Sequence, residues 1–118
     1  GGYRVQGRGD GAADRMIASA RALEAAGAFC VLMEMVPTEV ARAVDEALTV
    51  PTIGIGAGGG TTGQVLVWQD MLGLSDGRKP RFVKQYADLH SVITDAVAAY
   101  RRDVITGAFP APEHQFES

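Results

Sequence analysis

The sequence is poor in the residues that build disulfides and metal sites. Its 118 residues include one cysteine, Cys30, and two histidines, His90 and His114. A single thiol excludes an intrachain disulfide and a thiolate metal cage, and it favours a reducing, cytoplasmic setting. Cys30 lies in an apolar run without a neighbouring positive charge, so we interpret it as a core residue. Neither histidine has a second ligand at suitable spacing, which favours surface or capping roles.

Excess positive charge and long apolar runs are also lacking. The formal net charge is −3, and lysines and arginines are scattered, which argues against nucleic-acid and anionic-membrane partners. No apolar stretch is long enough to span a bilayer, and we expect no signal peptide. The chain begins Gly1-Gly2-Tyr3 without an initiator Met, so we expect it to be part of a longer protein. A nicked product, a split gene and the ordered part of a longer chain all remain open.

Three segments have the apolar spacing of amphipathic helices. The first covers residues 12–26, the second begins at Pro37 or Thr38, and the third begins at Asp88 or Ser91. Asp10 can cap the first helix, and glycines at positions 27 and 107 can end the first and third. The residues expected to face inward are Met16, Ile17, Ala20 and Leu23, then Val40, Ala43, Val44, Ala47 and Leu48, then Leu89, Ile93, Ala96, Val97, Tyr100 and Val104.

Three other segments are typical of strands. Residues 28–33 form an apolar run without alternation, which predicts a strand buried on both faces, and residues 50–55 and 81–86 predict two more. Residues 62–72 favour a helix, with a strand over 65–68 as the alternative. We interpret Trp68 and Phe82 as core residues. This alternation of helices and strands predicts right-handed crossovers and a parallel sheet. Three strands cannot close a barrel, so further strands must come from elsewhere.

The glycine-rich stretch after the second strand has four interpretations. Gly54 to Gly59 has the spacing of a dinucleotide-binding turn, but the acidic partner expected after the next strand is missing, since Asp76 lies in a loop. A phosphate-binding loop of the Walker type would need a lysine after the last glycine. A structural turn, or a backbone loop that faces a ligand, therefore fits better.

Glu34 is a lone carboxylate at the end of the 28–33 run. Carboxyl ends of parallel strands carry the chemistry in α/β barrels and open α/β sheets. The alternative is a strand-end glutamate held by an ion pair with a neighbouring Arg or Lys.

Several segments, in this order, resemble the ketopantoate hydroxymethyltransferase family. They are Gly1–Gly9, Leu23–Ala28, Met33–Pro37, Pro51–Gly58, Gly63–Trp68, Phe109–Pro110 and Glu113–His114. The resemblance runs from one end of the chain to the other. It implies a (β/α)8 TIM barrel of the phosphoenolpyruvate/pyruvate type, with residues 1–118 as its C-terminal half. Residues 1–11 would be a mobile active-site loop, and residues 108–118 would be a C-terminal tail.

The resemblance also implies an activity. Family members transfer a hydroxymethyl group from 5,10-methylenetetrahydrofolate to 3-methyl-2-oxobutanoate, giving 2-dehydropantoate for pantothenate and coenzyme A biosynthesis. The glutamate of their Glu-x-Val-Pro word is the proton acceptor, which maps onto Glu34. Their Mg²⁺ polarises the keto acid, and its carboxylate ligands are expected in the missing N-terminal half, with none in this chain. Folate-binding residues are not assigned. A large homo-oligomer in the cytoplasm is expected.

One position departs from the family pattern. Thr62 stands immediately before Gly63-Gln64, where the family commonly has an acidic residue, so the preceding loop can differ in detail. Two alternatives stay open. One is a Mg²⁺-dependent C–C lyase of the phosphoenolpyruvate mutase and isocitrate lyase type. The other is that the chain alone is an inactive half-barrel that serves as an assembly module.

Overall fold

The structure, a computed structural model, describes residues 4–9 and 11–117. In chain order its elements are α1 (Ala12–Ala25), β1 (Val31–Glu34), α2 (Thr38–Ala47), β2 (Thr52–Ile55), β3 (Gly63–Gln64), α3 (Trp68–Met71) and α4 (Leu89–Thr106), followed by a short 3-10 helix (Pro112–His114). The chain divides into two compact units, Gly1–Leu66 with Arg81–Val83, and Val67–Pro80 with Lys84–Ser118. None of the helices in the described ranges is long and apolar enough to cross a membrane.

The sheet is parallel, as the sequence predicts. Its strand order is β1-β2-β3, and Val31 is level with Thr52 while Glu34 is level with Ile55. On the other side of β2, Ile53 is level with Gly63. Residues 4–9 and 11–117 form no closed barrel, which agrees with the expectation that three strands cannot make one.

The core lies between one face of the sheet and the first two helices. Val31 and Met33 point toward α1 and α2, where Ala41 and Val44 are completely buried. The same cluster also contains Ala20, Val36, Val40 and Ala57. Helix periodicity placed Ala20, Val40 and Val44 correctly on inward faces, because each helix covers the sheet with a single apolar stripe.

The prediction that β1 is buried on both faces is wrong for this chain. Its residues alternate between buried and exposed, and Leu32 is 57% exposed. The buried residues Val31 and Met33 pack with α1 and α2. Phe29, which we placed in the strand, lies before it and is 87% exposed. Cys30 is only half-buried.

The third predicted strand is also wrong. Residues 81–86 contain no strand, and β3 is instead formed by Gly63–Gln64. The predicted helix over 62–72 is reduced to α3, because residues 63–65 are extended and the Val65 amide donates to the Gly54 carbonyl oxygen over 3.0 Å. Pairing with β2 thus replaces helix formation over this stretch. Trp68, interpreted as core, is 52% exposed, whereas Phe82 is partly buried.

The helix ends predicted from the sequence agree with the structure more closely than the predicted buried faces do. Gly27 and Gly107 have φ values of 99° and 76°, the left-handed conformation expected after a helix. The Asp88 side chain caps α4 by accepting from the Ser91 amide. Asp10, the predicted cap of α1, lies outside the described residues. The inward face predicted for α4 is wrong here, since α4 has no buried residue and Tyr100 is 58% exposed.

Candidate functional site

Glu34 is the last residue of β1 and lies at the carboxyl end of the sheet. Its side chain is exposed, and the residue is level with Ile55 of β2. Within residues 4–9 and 11–117, no hydrogen bond or ion pair to its carboxylate is found. The alternative of a glutamate held by a neighbouring Arg or Lys therefore has no support in the described part of the chain.

The residue after Glu34 turns the chain sharply. Met35 has a φ of 54°, a left-handed conformation that costs a non-glycine residue energy. Two backbone hydrogen bonds hold it there. The Met35 amide donates to the Ile55 carbonyl oxygen over 2.9 Å, and the Met35 carbonyl oxygen accepts from the Gln6 amide over 2.7 Å. The direction in which the chain leaves Glu34 is thus fixed by β2 and by the N-terminal loop.

The described part of the N-terminal loop, residues 4–9, packs beside this turn. A Cβ at Gly7 would lie 3.3 Å from both the Met16 and the Val40 side chains, so the loop approaches α1 and α2 closely. A cavity of about 210 Å³ opens between α1 and β1, with Gln6 and Glu34 among its polar lining residues. Positions 1–3 and 10 lie outside the described residues, and the mobility of residues 1–11 stays a prediction.

The glycine-rich turn follows β2, next to the Glu34 strand. A Cβ at Gly58 would lie 2.2 Å from Thr38 Oγ1, and one at Gly60 would lie 2.9 Å from Arg42 Cβ. Both glycines are therefore required for the turn to pack on α2, as the structural interpretation predicts. Gly59 is different, because a Cβ there would have no neighbour within 4 Å. Packing does not explain the absence of a side chain at Gly59.

The two histidines belong to the other compact unit. His90 is exposed, with its Nε2 atom 4.0 Å from Asp76 Oδ2. His114 caps the 3-10 helix, because its Nδ1 atom accepts from the Ala111 amide over 3.1 Å. These positions confirm the surface and capping interpretations. In the described ranges, no three His, Cys, Asp or Glu side chains are grouped so that they could hold a metal ion.

The family model for ketopantoate hydroxymethyltransferase matches residues 1–112. The chain belongs to this family. It is 66% identical over 116 residues to the 3-methyl-2-oxobutanoate hydroxymethyltransferase of Paenarthrobacter aurescens, covering 98% of this chain and 38% of that protein.

Two further relatives carry the same name. The protein of Mycobacterium ulcerans is 60% identical over 116 residues, which are 98% of this chain and 39% of the relative. The protein of Streptomyces coelicolor is 58% identical over 113 residues, which are 96% of this chain and 39% of the relative. The chain thus spans about two fifths of the length of these hydroxymethyltransferases. The match favours the ketopantoate hydroxymethyltransferases over the C–C lyases.

The structure explains how the chain accommodates Thr62, its departure from the family pattern. The hydroxyls of Thr52 and Thr62 both donate to the Asp45 Oδ1 atom, with 2.9 Å between it and Thr62 Oγ1. Thr62 Oγ1 also accepts from the Thr52 amide over 3.2 Å. The Thr52 side-chain hydrogen bond is the largest cause of a lowered pKa of Asp45. An acidic residue at position 62 would instead place a second carboxylate beside Asp45.

Sequence reasoning missed the role of Glu24. Its Oε1 atom accepts from the Thr49 amide over 2.7 Å, from the Thr49 hydroxyl over 2.6 Å and from the Val50 amide over 3.0 Å. These hydrogen bonds, that from the Thr49 hydroxyl first, lower the pKa of Glu24. They join the end of α1 to the turn before β2. Glu24 lies in Leu23–Ala28, one of the segments that resemble the family, but nothing in that segment indicates contact with Thr49 and Val50.

Proposed function

We propose that this chain carries the proton acceptor of a ketopantoate hydroxymethyltransferase. The proposed reaction moves a one-carbon unit from 5,10-methylenetetrahydrofolate to 3-methyl-2-oxobutanoate and gives 2-dehydropantoate, on the route to pantothenate and coenzyme A. Support comes from the family match over residues 1–112 and from relatives that carry this enzyme's name. The observation that carries the role of this chain is Glu34, a lone exposed carboxylate at the carboxyl end of β1.

Glu34 accepts the proton from C3 of the keto acid in this proposal. The resulting carbanion, stabilised as an enolate, forms the new bond from C3 to the methylene carbon of the folate. Both bonds from the methylene carbon to the folate nitrogens break, and one water molecule supplies the hydroxyl group of the product. The other proton of the water and the proton from C3 leave on the two nitrogens of tetrahydrofolate. A positioned carboxylate within reach of the C–H bond meets the need for a general base. The absence of a hydrogen-bond partner among the described residues leaves the Glu34 oxygens available to the substrate.

The family resemblance implies a bound Mg²⁺. The described residues contain no cluster of three His, Cys, Asp or Glu side chains that could bind it. We therefore propose that its ligands belong to the rest of an enzyme of full family length. In this proposal, the role of this chain in the reaction is to accept the proton from C3.

The proposal also includes the strands that would complete a barrel. The Val31 and Met35 amides donate hydrogen bonds to backbone oxygens of the β2 segment. Because the hydrogen-bonding direction alternates along a parallel strand, the backbone groups of Leu32 and Glu34 point to the other edge of β1. A neighbouring strand from the rest of a (β/α)8 barrel would pair at this edge and cover the exposed Leu32. We extend the proposal to a large homo-oligomer in the cytoplasm, as the family resemblance implies.

Glu34→Gln tests the assignment in an enzyme of full family length that contains these residues. We expect the exchange of the C3 proton of 3-methyl-2-oxobutanoate to fall by about 10²–10⁴-fold, the usual contribution of a general base. Binding of the keto acid should be retained, because the substitution keeps the size and shape of the side chain. Exchange is followed by NMR in deuterated water with Mg²⁺ and without folate.

Glu46→Gln is the matched control, since it makes the same change at an exposed carboxylate of α2. We expect it to exchange at the rate of the unmodified enzyme. If Glu34→Gln also exchanged at that rate, Glu34 would not be the base.

A further inference from the structure

A second cavity lies at the carboxyl end of β2, separate from the one beside α1. Its volume is about 360 Å³, and it is lined by Gly56, Gly58, Gly59, Gln64 and Phe82. Small-molecule sites are commonly clefts of roughly 300–1,000 Å³ with a few polar groups. All five lining residues belong to the compact unit that contains Glu34.

Phe82 provides an aromatic wall for this cavity. A Cβ at Gly56 would lie 2.7 Å from Phe82 Cδ1, so the ring is held directly against bare backbone. Gly56 also has a φ of 64°, which favours glycine for a second reason. The ring is partly buried and cannot move toward Gly56. It therefore offers a fixed apolar surface of the kind on which flat ring systems stack.

Gln64 and the glycine backbone provide the polar groups. Gln64 Nε2 donates to the Gly58 carbonyl oxygen over 2.8 Å and to Thr61 Oγ1 over 3.1 Å, which fixes the orientation of the amide. Its Oε1 atom has no hydrogen-bond partner among the described residues and can accept one from a ligand. Gly59 has open space where its side chain would be. An aromatic wall with polar groups around it suits a flat nitrogen heterocycle.

The register of the sheet places this cavity beside the proposed base. Glu34 is level with Ile55, and Gly56 is the next residue along β2. Neighbouring strands lie about 4.8 Å apart, so a ligand in the cavity borders the substrate position at Glu34. We propose that the cavity binds the heterocyclic ring of the one-carbon donor, with its methylene group directed toward the keto acid. This inference rests on the proposed function.

Gly59→Leu tests the inference in an enzyme of full family length, because the new side chain fills the cavity without meeting a neighbouring atom within 4 Å of its Cβ. We expect the KM for 5,10-methylenetetrahydrofolate to rise at least about tenfold, with a much smaller effect on the KM for the keto acid. Binding of tetrahydrofolate, measured by calorimetry, should weaken in parallel. Gly77→Leu is the matched control, since Gly77 also has no neighbour within 4 Å and does not line the cavity.

Phe82→Leu is a second variant, which removes the aromatic wall and should give the same difference between the two KM values. Thermal unfolding of each variant shows whether it is folded. Unchanged tetrahydrofolate binding in both folded variants would overturn the inference. So would an equal rise in both KM values, which would assign the cavity to the keto acid. Failure of the proposed function is seen separately, as the absence of C3 proton exchange in the unmodified enzyme.

Discussion

At the scale of single residues, Asp45 depends on two hydroxyl groups from other parts of the chain. Thr52 and Thr62 both donate to it and lower its pKa from the ordinary value of 3.8. A carboxyl group whose pKa is lower in the folded state stabilises the protein above its unfolded pKa. That contribution is lost as the pH falls through the lowered value. Thr62 is therefore part of a stabilising cluster at neutral pH.

We predict that, in an enzyme of full family length, Thr62→Val lowers the free energy of unfolding at pH 7 by about 1–3 kcal/mol, the usual net value of the two hydrogen bonds that the Thr62 hydroxyl makes with Asp45 and the Thr52 amide. Thr62→Glu should cost more at pH 7, because it places two carboxylates together, and the excess should shrink toward pH 4 as they take up a proton. Thr62→Ser keeps the hydroxyl and is the control. Urea unfolding at both pH values measures the difference. Equal stability of Thr62→Glu and the unmodified protein at pH 7 would contradict this role of Asp45.

The candidate site could be predicted from the sequence only where one residue was unusual in its local context. Glu34 stood out because a charge follows an apolar run. The contacts that organise its surroundings join distant residues, such as the Gln6 amide and the Met35 carbonyl oxygen. Local sequence carries no signal for such pairs. The positive φ of Met35 was missed for a related reason, since methionine is not a residue that predicts a left-handed turn.

At the scale of elements, the end of α1 is joined to the turn before β2 by one carboxylate. Glu24 accepts from both donor groups of Thr49 and from the Val50 amide. We predict that Glu24→Ala speeds hydrogen exchange of the Thr49 and Val50 amides more than that of other amides, because both lose their acceptor. Amide exchange followed by NMR measures this. Glu46→Ala, at an exposed carboxylate of α2, is the control and should leave these two amides unchanged.

The Glu24 contacts should also depend on pH. The pKa of Glu24 is lowered from 4.5 by the Thr49 and Val50 hydrogen bonds. Their contribution is therefore complete above the ordinary pKa and is lost as the pH falls through the lowered value. After correction for intrinsic exchange rates, protection of the two amides should fall over that acidic range. Protection that is the same at neutral pH and well below the lowered pKa would show that the carboxylate does not hold this turn.

Helices were predicted better than strands because their signals are local. Periodicity and the glycines at positions 27 and 107 located α1 and α4 closely. The third strand was assigned to residues 81–86, but β3 is two residues long and depends on pairing with β2. A strand that short has no period to detect. The sequence predicts that Phe82 belongs to that strand. In the structure, Phe82 lies in a loop and its ring packs against Gly56.

At the scale of the whole molecule, large apolar side chains remain uncovered. Leu32 is exposed on β1, and Ile93, Val97, Tyr100 and Val104 are exposed on α4. The chain corresponds to about 38% of the length of its relative from Paenarthrobacter aurescens. An exposed strand edge and uncovered apolar surface favour association or loose folding of a chain on its own. We propose that the rest of a family-length enzyme supplies both the missing strands and the metal site.

We therefore predict that the isolated 118 residues are inactive and unfold with low cooperativity, and that adding the N-terminal part of the enzyme restores both Mg²⁺-dependent turnover and a cooperative transition. Thermal unfolding by circular dichroism and formation of 2-dehydropantoate measure the two effects. Mixing the same N-terminal part with the Glu34→Gln chain separates them, because assembly should return while turnover should not. A monomeric, cooperatively folded and active chain would contradict the half-barrel assignment. It would also show that the base and the metal site need not come from different parts of the enzyme.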